Sequence, residues 1–199
     1  MKQILALCIL CLGLSEAYGQ RGDVNTLIGS RTRVGAYVSF ENQIKNFNNS
    51  SPGMYTGGRF GLIFNRYLFI GVGGYGLSSG LNLRDLVEDG DFYNIETGYG
   101  GLSIEPIAFP RQAVHLSFPL FAGIGGAEIR EGISRRNFVD DDIFWMYQGG
   151  ANIELNVTRW FRISGGVYYT ETEDFTLENT RRDLLEGLSY GMSLKLGRF

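Results

Sequence analysis

Three times in this chain a long run rich in glycine and aromatic residues halts at an arginine and restarts almost at once. The halts are Phe64-Asn65-Arg66-Tyr67-Leu68, Phe109-Pro110-Arg111-Gln112-Ala113 and Val157-Thr158-Arg159-Trp160-Phe161. Connections this short join only antiparallel neighbours, because a parallel pair needs a crossover of roughly a dozen residues or more. Between the arginines lie wider polar gaps at Leu81 to Asp91, Glu128 to Asp142 and Glu171 to Glu186, with another at Gln43 to Gly53. All the short turns therefore fall at one end of the strands and all the long loops at the other. That asymmetry is the pattern of a closed antiparallel barrel crossing an outer membrane.

Two-residue alternation supplies the strands. From Arg33 to Asn42, Val34, Ala36, Val38 and Phe40 share one face, and Gly35, Tyr37, Ser39 and Glu41 the other. The second strand sends Phe60, Leu62 and Phe64 outward, opposite Arg59 and Gly61. On the third, Leu68, Ile70 and Val72 oppose Gly71, Gly73 and Tyr75. The fifth sets Val114, Leu116, Phe118 and Leu120 against His115, Ser117 and Phe121. The sixth, Ile143 to Val157, alternates Trp145, Tyr147, Ala151, Ile153 and Leu155 with Gln148, Asn152 and Glu154. The seventh places Phe161, Ile163 and Val167 against Arg162, Ser164 and Tyr168, and the eighth carries Leu188, Tyr190, Met192, Leu194 and Leu196 on one face. In the fourth, Leu102 and Ile104 fit the outward face while Tyr93, Ile95 and Tyr99 fall in the opposite phase; a bulge near Gly100-Gly101 would reconcile them. Pro119 predicts a break in the fifth strand, since a closed barrel has no edge where a missing N–H is free. The expected fold is all-β, an eight-stranded antiparallel up-and-down transmembrane β-barrel over residues 33–199. Inward glycines such as Gly71, Gly73, Gly123, Gly125 and Gly166 leave room for Tyr75, Phe121 and Tyr168 in a narrow lumen.

The start of the chain reads as an export signal over residues 1–19. Lys2 supplies the positive start, Ile4 to Leu14 the apolar stretch and Ala17-Tyr18-Gly19 a small-x-small cleavage site. The apolar stretch is shorter than the roughly 20 residues a spanning helix needs. A lipoprotein signal at Cys8 or Cys11 is disfavoured because Leu7 and Leu10 precede them. Residues 20–32 read as a periplasmic lead-in. Both cysteines of the chain lie in the signal, so no disulfide, thiol nucleophile or cysteine-ligated metal is expected after it, and no cofactor is implied. A net charge of −3 with no basic stretch argues against nucleic acid as a partner. Mean hydropathy near zero suits a barrel, in which lipid-facing and lumen-facing residues cancel in the average.

The signal, eight alternating strands, three tight turns, four long loops and terminal Phe199 resemble the small outer-membrane barrels related to the N-terminal barrel of outer membrane protein A. Bacteroidota encode many barrels of this type, and Asn156-Val157-Thr158-Arg159-Trp160-Phe161-Arg162 is similar to a turn found among them. The resemblance implies a place in the outer membrane of a Gram-negative bacterium, outer-membrane lipids as surroundings, and the barrel-insertion machinery as a partner during assembly. Two features depart from it. Phe199 is out of phase with Leu194 and Leu196, its own phase carrying Lys195 and Gly197, and no periplasmic peptidoglycan-binding domain follows.

Candidate chemistry is sparse. His115, the chain's single histidine, and Ser117 share one strand face. A lipid A deacylase of the outer membrane uses a similar His-x-Ser with a downstream carboxylate, for which Glu128 is nearest. Phe118 stands where that family has a polar residue, and His115 lies at the short-turn end, so an interior hydrogen-bonded histidine is the better reading. Asp140-Asp141-Asp142 lacks the alternating ligand order of a calcium loop and reads as a solvated acidic segment. Arg21-Gly22-Asp23 spells an adhesion tripeptide on the wrong side of the membrane, and Asn48-Asn49-Ser50 carries no weight in bacterial export. Gly-rich stretches lie inside strands and are not phosphate loops.

The more substantial constellation is internal. Turns of odd length, required by the shared outward phase of Phe64 with Leu68 and of Val157 with Phe161, predict Glu154 facing Arg162 and Glu105 facing His115. With Lys195 on the next strand and Arg59 on the second, these make a polar lumen cluster of Arg59, Glu105, His115, Glu154, Arg162 and Lys195. Buried charges need partners, and a lumen of eight strands is just wide enough to be filled by side chains. The expectation is a non-enzymatic barrel with a structural role, or one of surface interaction with an extracellular partner through loops carrying Phe138, Phe175 and Leu177. The alternatives are a narrow pore for small solutes and, behind it, an outer-leaflet lipid enzyme.

Overall fold

The computed structural model of the chain describes residues 32–46, 52–78, 81–83, 93–131, 137–176 and 183–199. The expected signal, nearly all of the lead-in with its Arg-Gly-Asp tripeptide, Asn48-Asn49-Ser50 and Leu177 lie outside the described residues.

Ten strand segments follow in order: β1 (Val34–Lys45), β2 (Gly53–Phe64), β3 (Leu68–Leu77), β4 (Leu81–Leu83), β5 (Tyr93–Ala108), β6 (Val114–Ser117), β7 (Leu120–Glu131), β8 (Asn137–Asn156), β9 (Phe161–Glu173) and β10 (Gly187–Arg198). Every pairing is antiparallel. β4 prolongs the line of β3 along β5, and β6 with β7 make one interrupted strand between β5 and β8, so the ten segments build eight staves. β1 pairs β10 from Ala36↔Arg198 to Lys45↔Ser189, and that ladder closes the sheet into a barrel without edges.

The first turn is as tight as its sequence demands: Phe64 pairs with Leu68 around three residues, and Asn65 (φ 51°) and Arg66 (φ 72°) both take left-handed backbone. At Phe118-Pro119 the ladder is interrupted, but the register is not. Ser117 lies opposite Asn152 before the gap and Leu120 opposite Gly149 after it, three residues on along each strand. The carbonyl of Pro119 still accepts from the Gly150 N–H at 2.9 Å. Proline thus removes a donor and leaves the alternation of faces intact.

The fourth stave corrects the sequence reading. β5 pairs without a slip on both sides, from Leu68↔Pro106 to Gly76↔Gly98 with β3 and from Tyr93↔Glu131 to Ile104↔Leu120 with β7. There is no bulge at Gly100-Gly101. Tyr99 points inward by plain alternation and is buried among other aromatics, so its phase needed no repair. The register shift that does occur among the described residues lies between Ile129 and Arg130, where β7 meets β8. The strands also run farther than expected. β8 begins at Asn137, inside what reads as the Glu128–Asp142 loop, because two long strands leaving the barrel as a hairpin keep satisfying each other's backbone.

Polarity is inverted relative to a soluble protein. Val38, Phe40, Phe60, Leu102, Ile153 and Met192 stand on the outer surface, with Phe60 64% and Leu102 65% exposed. Glu41, Glu105, Glu154, Arg59 and Lys195 are buried inside, Glu105 and Glu154 completely. Among the described residues the exposed tyrosines and tryptophans collect at two levels: Tyr67 and Trp160, with Phe109, in or beside the short turns, and Trp145, Tyr147, Tyr169 and Tyr190 toward the loop end.

Candidate functional site

Among the described residues the lumen gathers buried charged and polar side chains, and it is layered. Nearest the short turns, Tyr37 stacks on Phe69 (ring centroids 4.1 Å) and meets Phe199 at 5.6 Å, beside buried Ile63 and Ile107. Phe199 thus turns into the barrel, as its phase with Lys195 and Gly197 demands. Above this lies a charged layer. Toward the loops a second apolar layer holds Tyr55, Tyr75, Tyr99, Phe121, Phe144, Met146, Phe175 and Leu185.

The charged layer is a continuous chain of alternating sign. Arg59 Nε donates to Glu41 Oε1 at 2.8 Å, and its Nη1 lies 2.9 Å from Glu105 Oε2. Lys195 Nζ bridges Glu105 Oε1 at 2.5 Å and Glu154 Oε1. Glu154 Oε2 then meets His115 Nε2 at 3.0 Å and Arg162 Nη1 at 3.6 Å, while Ser117 Oγ donates to Oε1 at 2.7 Å. Hydroxyls occupy the remaining carboxylate lone pairs: Tyr37 donates to Glu105 at 2.8 Å, Tyr75 to Glu41 at 2.6 Å, and Ser39 to Glu41 at 2.7 Å. Three carboxylates (Glu41, Glu105, Glu154) face three cations (Arg59, Arg162, Lys195), so the formal charges of the acidic and basic side chains balance. Near-complete burial makes such balance obligatory, because an unpaired ion here would keep its full desolvation cost.

Strand register explains who meets whom, and it departs from the expected pairs. His115 lies opposite Glu154, not Glu105, which lies opposite Phe69. The connection after β5 is wider than the Pro110-Arg111 corner suggests: Gln112 N–H closes a turn on the Phe109 carbonyl at 3.0 Å, Phe109 takes φ 55°, and β5 rejoins the next stave at Ala108↔Leu116. Glu154 lies opposite Ser164, and Arg162 opposite Asn156. Odd turn length sets the face a residue shares, not its partner, so Arg162 reaches Glu154 on the diagonal at a distance too long for a hydrogen bond. Glu41, which completes the network, was legible only as an inward position on β1; nothing in the sequence sets its height against Arg59. Gly73 makes room for that network, since a Cβ there would stand 2.6 Å from Arg59 Cγ.

The His-x-Ser pair does not form a nucleophile and base. His115 and Ser117 both address Glu154, they are buried at the short-turn end, and Glu128 belongs to the far end of β7. Asp142 caps backbone: its carboxylate accepts from Ile143 N–H at 2.9 Å and Thr176 N–H at 2.5 Å. Among the described residues no cluster of three or more His, Cys, Asp or Glu is placed to hold a metal. Phe175, read from sequence as an exposed loop aromatic, is buried edge-on against Phe144 at 5.6 Å and belongs to the second apolar layer.

Fold and lumen together define the class: a closed, eight-stranded antiparallel β-barrel with a filled interior. No protein-family model matches the chain, and no curated protein matches it. Among solved structures it is similar to a major outer membrane protein from Thermus thermophilus (TM-score 0.49, 11% identity, 81% of this chain and 99% of that one). It is likewise similar to Ail, the attachment invasion locus protein of Yersinia pestis (0.45, 14%, 82% and 95%), and to Neisserial surface protein A (0.44, 12%, 83% and 94%). At these identities the chemistry of the lumen is read from this chain's own residues.

Proposed function

We propose that the protein is a non-enzymatic barrel of a Gram-negative outer membrane, closed to solutes, that acts as a structural or surface-interaction element through its loop end. The observation that carries this reading is the inverted polarity: charges are paired in the interior while large apolar side chains stand uncovered around the whole circumference. The belt has the right height. Tyr190 lies eight residues from Arg198, and Trp145 eleven from Asn156. At about 3.3 Å per residue and a tilt of about 35–45°, these separations span roughly 19–30 Å, which brackets the height of about 25 Å of the apolar band between two aromatic girdles. A surface so apolar would aggregate in water.

Closure is favoured over the pore by what fills the lumen. A permeating solute would have to pass Tyr75, Tyr99 and Phe121, mutually packed at 5.0–6.0 Å between centroids, and then the ion network beneath them. The test is fractionation of the native protein with gel mobility before and after boiling. Recovery in the outer membrane with a heat-dependent shift is expected; recovery as a soluble periplasmic species would overturn the reading.

A further inference from the structure

The short-turn mouth of the barrel concentrates arginines. An open cavity of about 780 Å³ there is lined by Arg66, Arg111, Arg159, Arg162, Arg198 and Phe199, with no acidic residue among its lining. Three of these arginines come from the three short turns, so turns far apart in the sequence converge in space. Among the described residues Arg66, Arg111, Arg159 and Arg198 form no ion pair. Arg66 holds its place at φ 72°, a conformation in which glycine is cheaper.

Arg162 supplies an independent observation. It is 2% exposed, its guanidinium lies 3.8 Å from the centre of the Phe199 ring, and its Nε and Nη1 have no hydrogen-bond partner although both are buried. Buried donors are nearly always paired, so a guanidinium held this way at the wall of a cavity marks where an anion's oxygens belong. The depth of the site identifies the anion. Tyr67 and Trp160 directly follow Arg66 and Arg159, Phe109 precedes Arg111 by two residues, and all three rings are exposed. Aromatic rings of this kind sit at the headgroup level of a bilayer, which puts the neighbouring guanidiniums among lipid phosphates.

We propose that the short-turn mouth binds the phosphate of an anionic phospholipid headgroup, held by the Arg162 donors that make no hydrogen bond and by the turn arginines. The proposal rests on the membrane reading above. Pro110 and Val157 on the same cavity wall give the glycerol end of such a lipid an apolar surface. Planar guanidiniums suit phosphate oxygens bidentately, and their attraction weakens with salt.

The test is native mass spectrometry of the folded, heat-modifiable barrel in detergent micelles carrying phosphatidylglycerol or phosphatidylcholine of matched chains, at two salt concentrations. Retention of phosphatidylglycerol over phosphatidylcholine is expected. It should fall about fivefold for each of Arg66→Gln, Arg159→Gln and Arg162→Gln, and about 25-fold when Arg66→Gln and Arg159→Gln are combined. Equal retention of the two lipids, or full retention by the double variant, would overturn the proposal. So would saturable binding of inorganic phosphate without lipid preference, or of a soluble cell-wall peptide fragment over phosphatidylglycerol. A chain that never inserts into lipid removes the membrane reading and this proposal together; a folded barrel indifferent to phosphatidylglycerol removes only this one.

Discussion

Glu154 is the hinge of the lumen network, and its removal has a calculable consequence. Glu154→Gln keeps shape and leaves three cations facing two carboxylates in a layer where Glu154 is 0% and Lys195 1% exposed. Breaking a fully buried pair costs about 3–5 kcal/mol, chiefly from the charge left behind. Lys195 still has Glu105 at 2.5 Å, so the lower end of that range, about 3 kcal/mol, is expected. Lys195→Met should cost a similar amount. The double variant restores the balance and should fall short of the sum by roughly 2 kcal/mol. The corresponding cycle with Arg162→Gln should show a coupling below about 1 kcal/mol, because Arg162 sits at 3.6 Å without a hydrogen bond and opens on the short-turn cavity. Urea unfolding from phospholipid vesicles, followed by the fluorescence of the outward-facing Trp145 and Trp160, measures each term. A Glu154→Gln barrel within about 1 kcal/mol of the parent, or strict additivity with Lys195→Met, would refute the claim that the charges are held by mutual pairing in a dry layer.

Planar-bilayer recordings on the refolded protein should show no sizeable steady conductance; stable large channels in well-folded samples would favour the pore. Phe144→Ala should destabilise by about 3–5 kcal/mol, since the ring is 1% exposed and packs on Phe175, and retention of parent stability in urea would place this layer outside the core. Gly73→Leu should lose roughly 1–3 kcal/mol by driving a side chain into the Arg59 stem, whereas Gly76→Ala, where a Cβ meets nothing within 4 Å, should be nearly silent in the same unfolding assay. Replacing residues 174–186 by a short turn should leave a heat-modifiable barrel of lowered stability, because Phe175 and Leu185 leave the apolar layer with the loop; loss of insertion would mean that the segment is needed for assembly.

Fold class was legible because its determinants are local. Period-two alternation assigns faces residue by residue, and short arginine turns admit only antiparallel neighbours, so Lys195, Glu154 and Arg162 could be turned inward from sequence alone. Pro119 announced its own interruption. What the sequence could not settle was height. His115 meets Glu154 instead of Glu105, Arg162 reaches Glu154 only diagonally, and Glu41 joins Arg59, because alternation is unchanged when a strand slides by two residues while every cross-strand partner changes. Register is decided when the ring of strands closes: each stave must match both neighbours at once, and β1 must meet β10. The same closure turned Tyr99 from an apparent irregularity into a lumen residue, drew Phe175 from an expected loop tip into the interior, and brought arginines from three separate turns around one cavity. Patterns along one strand determine which way a side chain points; only the closed barrel decides what it meets there.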